Sequence, residues 1–177
     1  MTQRLAQNHF ELFGLPTRFA IDLDTLDQHY RKIQAEVHPD RFVSSSPAER
    51  LRSMQLATQA NEAYQTLKRP SARARYLLQL QGVETLEESN TSMPADFLML
   101  QMEWREAIEE AEEARDIDAL EQLLQQMRKQ AKSLHASLET ALDQDKDHDE
   151  AAGIVRKLSF IDKMRSDIEH SIAKLED

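Results

Sequence analysis

Apolar residues recur along this 177-residue chain at three- and four-residue steps, the spacing that gathers them on one face of an α-helix. Leu23, Leu26, Tyr30, Ile33 and Val37 form the first such stripe. Asp22 or Asp24 can cap its start, because a carboxylate accepts hydrogen bonds from the unpaired amides of a first turn. Pro39 stops it, having no amide donor and pushing the preceding residue out of the helical region. Ser44-Ser45-Ser46-Pro47 then supplies caps and a first-turn proline for a second helix, striped by Leu51, Met54, Ala57, Ala60 or Asn61, Tyr64 and Leu67. Packed antiparallel, the two helices hold His38, Pro39 and Asp40 at an exposed tip between them. Another helix, from Ser71 to Gln81, stops near Gly82.

Residues 83–93 read as a polar connector, dividing an N-terminal module (1–82) from a second (94–177) that Pro94 opens. Three helices account for the second module. One runs roughly from Pro94 to Arg115. The next carries a heptad-like seam of Ile117, Leu120, Leu124, Met127, Ala131, Leu134, Leu138 and Ala141, and the last, from about Glu150, carries Ile154, Leu158, Ile161, Ile168, Ile172 and Leu175. Each buried Leu or Ile contributes on the order of 1.5–3 kcal/mol, enough for three such stripes to hold a bundle without metal or disulfide. The expected fold is all-α, with an antiparallel hairpin and flanking short helices followed by a three-helix bundle.

The first bundle helix has two apolar sides. Phe97, Leu100, Trp104, Ala107, Ile108 and Ala111 fall within one half-turn and suit a core. Leu98, Met99 and Met102 point nearly the other way, followed there by Glu103, Glu106, Glu109, Glu110 and Glu113. Phe160 lies ~100° off the core stripe of the last helix, where it can join that outer patch. These residues either bind a partner or pack against the first module or the connector.

Composition narrows the chemistry. Three glycines, five prolines and abundant helix formers leave no alternating strand-like run, and the absence of cysteine excludes disulfides and thiolate metal sites. No signal-like segment or apolar run of membrane-spanning length occurs, so the protein is expected in the cytoplasm, away from membranes, with the Asn90-Thr91-Ser92 sequon idle. A net charge of −10 disfavours nucleic acid as a partner. That charge is segregated: residues 1–82 hold 11 basic against 8 acidic residues, and residues 83–177 hold 11 against 24. Two modules with electrostatically different partners follow. The acidic run from Asp143 to Glu150 fails as a calcium loop, since His148 takes the glycine position and Ile154 that of the closing glutamate. With no histidine ligand set, nucleophile motif or Gly-rich phosphate loop, neither metal nor cofactor is expected, and the chain is not read as an enzyme.

Tyr30-Arg31-Lys32-Ile33, Val37-His38-Pro39-Asp40-Arg41-Phe42 and Asn61-Glu62-Ala63-Tyr64-Gln65-Thr66-Leu67 together resemble a J domain, and Phe10-Glu11-Leu12-Phe13-Gly14-Leu15-Pro16 resembles its opening. Arg73-Ala74-Arg75-Tyr76-Leu77-Leu78, Val155-Arg156-Lys157-Leu158-Ser159-Phe160-Ile161-Asp162-Lys163 and the lack of a Gly/Phe-rich or cysteine-rich region extend the resemblance to the HscB family, bacterial in type and without the N-terminal zinc element. The resemblance implies a co-chaperone of iron–sulfur cluster assembly that stimulates ATP hydrolysis by a DnaK/HscA-class chaperone. His38, Pro39, Asp40, Arg31, Lys32 and Arg41 would meet the chaperone. Leu98, Met99, Met102, Phe160, Glu103, Glu106 and Glu110 would bind the scaffold IscU; the family usually has an aliphatic residue where Met102 stands. Glu36 stands where many J domains carry lysine, which points to a specialised chaperone. A mostly monomeric adaptor is the expectation. Its alternatives are a generic J-domain co-chaperone and an oligomerising protein with a degenerate J domain.

Overall fold

The computed structural model describes residues 7–85 and 93–177; the sequon and residues 86–92 of the expected connector lie outside them. The regular elements among the described residues are all helical. The chain forms two compact units, Met1–Leu77 and Leu78–Asp177.

In the first unit α1 (His9–Leu12) precedes α2 (Leu23–Glu36), a 3-10 turn (Pro39–Phe42), α3 (Pro47–Lys68) and the start of α4 (Pro70–Leu80). Asn8 caps α1, and the chain then reverses through Gly14 at φ +65°, a conformation glycine adopts without Cβ strain. There the amides of Gly14 and Leu15 return to the carbonyls of Glu11 and Phe10, closing a Schellman corner. Asp22, one of the two expected caps, accepts from the amides of Asp24 and Thr25. Ser46 caps α3 with Pro47 in its first turn. The core gathers Phe10, Phe13, Leu26, Ile33, Val37, Leu56, Ala60, Ala63 and Leu67.

Two expected stripes need correction. Leu23 is 46% exposed, since it occupies the first helical position, before α2 has turned onto its partner. On α3 the buried row is Ser53, Leu56, Ala60, Ala63 and Leu67, whereas Leu51 and Met54 are 56% and 66% exposed. α3 packs on α1, α2 and the 3-10 turn through this row, which leaves the larger Leu51 and Met54 on its outer side.

The second unit contains α5 (Ala95–Glu113), α6 (Ile117–Glu139), a π-turn (Thr140–Gln144) and α7 (His148–Glu176), with each helix packed on the other two. The α6 seam is buried as expected except for half-buried Ile117, and Leu123 and Leu142 join it. In the wider turn at 140–144 both Ala141 and Leu142 are buried. On α7 Ile154, Leu158, Ile161 and Ile168 are buried together with Ala151, Ala152, Val155 and Met164, while Ile172 and Leu175 are half-buried in its last turns. On α5 Phe97, Trp104 and Ala111 are buried and Leu100, Ala107 and Ile108 half-buried; Gln101 is buried beside them. Arg115, at φ +52°, closes α5, its amide reaching the Glu112 carbonyl and that of Asp116 the Ala111 carbonyl. In the acidic loop Asp147 caps α7 by accepting from the Glu150 amide.

Candidate functional site

The hairpin tip is built from its own backbone. His38 is extended and begins the 3-10 turn, and Pro39 fixes the next φ. The Asp40 amide donates to Nδ1 of His38 at 3.3 Å, and the Arg41 amide donates to the His38 carbonyl at 3.0 Å. That same Nδ1 lies 3.6 Å from Asp40 Oδ2. These contacts orient both side chains without covering them, for 59% of the imidazole and 89% of the carboxylate side chain remain exposed. Arg41 is exposed in the same turn, and Arg31 and Lys32 are exposed on α2.

Beneath the tip α2 and α3 are clamped by an aromatic pair, one ring from each helix. The rings of Tyr30 and Tyr64 stack at 4.1 Å and 6°. Each hydroxyl also crosses to the other helix, from Tyr30 to Asn61 at 3.1 Å and from Tyr64 to Asp27 at 2.7 Å. The bond to Asp27 holds the Tyr64 phenol pKa above its ordinary value, because ionisation would break it beside a carboxylate. Between the helices a shallow groove of about 410 Å3 runs from Tyr30 past Ile33, Val37, Ala57 and Ala60 to His38 and Pro39.

Arg73 on α4 braces the same unit and is 6% exposed. Its Nε donates to the Phe19 carbonyl and Nη1 to the Leu67 carbonyl, both at 2.7 Å, with the guanidinium 4.6 Å from the centre of the Phe19 ring. Leu67 is in the last turn of α3, where carbonyls lack helical partners, so the arginine fork satisfies one of them. At the other end of this packing His29 Nδ1 donates to the Phe13 carbonyl.

The second set of expected residues lies on α5 and α7. Leu98, Met99 and Met102 are 44%, 63% and 63% exposed, and Glu103, Glu106 and Glu110 are exposed on the same helix. Phe160 is different. It is half-buried at the α5–α7 seam, edge-on to Phe97 at 6.1 Å and 81°, with the Arg105 guanidinium 5.5 Å from its ring centre. Any surface it offers is therefore combined with a packing role.

The family model for the HSCB C-terminal oligomerisation domain matches residues 93–169. A co-chaperone protein HscB homolog from Cupriavidus taiwanensis is 47% identical over 177 residues, covering 100% of both chains. Among solved structures, chaperone HscB from Vibrio cholerae matches with a TM-score of 0.83 and 39% identity, over 96% of this chain and 99% of that one. Human co-chaperone protein HscB matches with a TM-score of 0.86 and 29% identity, over 93% of this chain and 81% of its own. Likeness of that degree along the whole length, with the tip and bundle geometry above, places the chain in the HscB family of co-chaperones.

Proposed function

We propose that this protein is an adaptor coupling two binding events in iron–sulfur cluster maturation. Its J domain engages a specialised DnaK/HscA-class chaperone through His38, Pro39, Asp40, Arg31, Lys32 and Arg41, and stimulates that chaperone's ATP hydrolysis. Its bundle holds an IscU-like scaffold through Leu98, Met99, Met102, Glu103, Glu106, Glu110 and the accessible edge of Phe160. Carrying both sites on one chain raises the effective concentration of scaffold at the chaperone without any new contact. The observation that carries this reading is an imidazole and a carboxylate held in fixed orientation yet exposed at a hairpin corner. The tip shifts the chaperone toward its hydrolysing state only by binding that state better than the alternative. Exposed ion pairs contribute only ~0–1 kcal/mol each, so the complex is salt-sensitive and quickly reversed, as suits a co-chaperone that leaves after each cycle.

Measuring chaperone ATP turnover with Asp40→Ala and, separately, His38→Gln tests this directly. Stimulation is lost in both, while stability changes by less than ~0.5 kcal/mol, the usual effect of surface substitution. A folded variant that still stimulates ends the reading. A second reading draws on the family description, which names oligomerisation: the outer face of α5 would join copies of the chain. Sedimentation across a concentration series separates the two, since the adaptor stays monomeric.

A further inference from the structure

The two large apolar residues that α3 leaves in solvent, Leu51 and Met54, stand at the end of the helix nearest the tip. Arg50, Met54, Ala57 and Asn61 succeed one another at steps of four, three and four, so they form one strip along α3. Ala57 and Asn61 line the groove that His38 and Pro39 also line. Met54 and Arg50 thus continue that wall toward the N-terminal end of α3, the helix against which the turn Pro39–Phe42 packs. Leu51 flanks Met54 on the outer side, and Val43, 74% exposed, lies in the loop leading to α3. Farther along the outer side of the helix stand Thr58, Glu62 and Gln65, so the apolar character is confined to the tip end. Charge there is cationic on balance, with Arg41, Arg50 and Arg52 against Asp40 and Glu49.

We propose that Leu51 and Met54, framed by Arg41 and Arg50, form a further docking surface for the ATPase partner, fitting an aliphatic patch that carries carboxylates. The inference rests on the adaptor reading above. Continuity with the groove places the surface within the same encounter as the tip, and the arginines select an acidic rather than a basic partner face. The ridge is separate from His38 and Asp40, so it supplies affinity and leaves the triggering step alone.

Titrating a purified HscA-class ATPase with the full chain carrying Leu51→Ser and Met54→Ser tests the surface. Both side chains are exposed, and circular dichroism checks that the fold is kept. The half-saturating concentration rises ~10-fold, with maximal stimulation unchanged. Arg50→Glu likewise weakens binding and flattens its salt dependence. Unchanged half-saturation, with Asp40→Ala still inactive, overturns the ridge and leaves the adaptor reading standing. A loss of maximal stimulation overturns it too, because the ridge would then act in triggering. Self-association of the parent chain that the double substitution abolishes assigns the ridge to a second copy and also overturns the proposal. Full activity of Asp40→Ala removes the adaptor reading and the ridge with it.

Discussion

Arg73→Ala provides the sharpest test of how the J domain is held together. The side chain is 6% exposed, makes two 2.7 Å hydrogen bonds to main-chain carbonyls and covers the Phe19 ring. Hydrogen bonds to a charged group contribute ~1.5–3 kcal/mol each, and a cation over an aromatic face adds ~0.5–2 kcal/mol. Truncation removes all three together and leaves the Phe19 and Leu67 carbonyls without this donor. Because such contributions are not additive, the expected loss is about 3–5 kcal/mol. Small domains are stable by only ~0.05–0.15 kcal/mol per residue, so a unit of this size stands near its unfolding limit after the change. Arg73→Lys retains the charge but cannot fork, and loses roughly half as much. The chain supplies its own probes. Tyr30, Tyr64 and Tyr76, its three tyrosines, lie in the first unit, and Trp104, its single tryptophan, in the second. Urea titration followed by near-ultraviolet tyrosine dichroism should move to a much lower midpoint, while Trp104 fluorescence keeps its own. A loss below ~1 kcal/mol on the tyrosine signal would refute the argument that the buried fork braces the unit.

The remaining predictions are simpler. Replacing Leu98, Met99 and Met102 together with Ser weakens the proposed binding of an IscU-like scaffold, read by isothermal titration, and leaves the Trp104 transition within ~1 kcal/mol of the parent. Phe160→Ala, by contrast, lowers bundle stability by ~1–3 kcal/mol, because its ring packs on Phe97. His9, whose ring stacks on Tyr76 at 4.2 Å, has its pKa lowered from 6.5, chiefly by burial and against the opposing effect of Glu62. Its folded form binds protons less readily than the unfolded chain. The associated stability is complete above pH 6.5 and is lost as pH falls through the depressed folded value. Tyrosine-detected melting should show this acid loss, and His9→Gln should flatten it.

Helix boundaries were legible because they depend on local chemistry. Asp22, Ser46, Pro47 and Gly82 each act within a turn of their own position, and the structure uses them as the pattern required. The side of α5 bearing Leu98, Met99 and Met102 was legible for a related reason, since Phe97, Trp104 and Ala111 define the opposite face without ambiguity. The rotation of α3 was not. A periodicity argument favours large apolar residues, and the buried row includes Ser53 and Ala63, small side chains that such an argument passes over, beside Ala60 and Leu67 of the expected stripe. The Arg73–Phe19 and Tyr64–Asp27 bonds escaped because their partners are 54 and 37 residues away in the chain. An arginine among the apolar residues of α4 was the available hint, though Arg75 shares it.

The bundle's corners are short: residues 114–116 join α5 to α6, and 145–147 join the π-turn to α7. Because α5 and α6, and α6 and α7, pack on each other through these short corners, little loop entropy opposes those packings. Helical bundles of such low contact order fold within about microseconds to milliseconds. A bundle that reassembles on that timescale regains its shape soon after any event that pulls it apart.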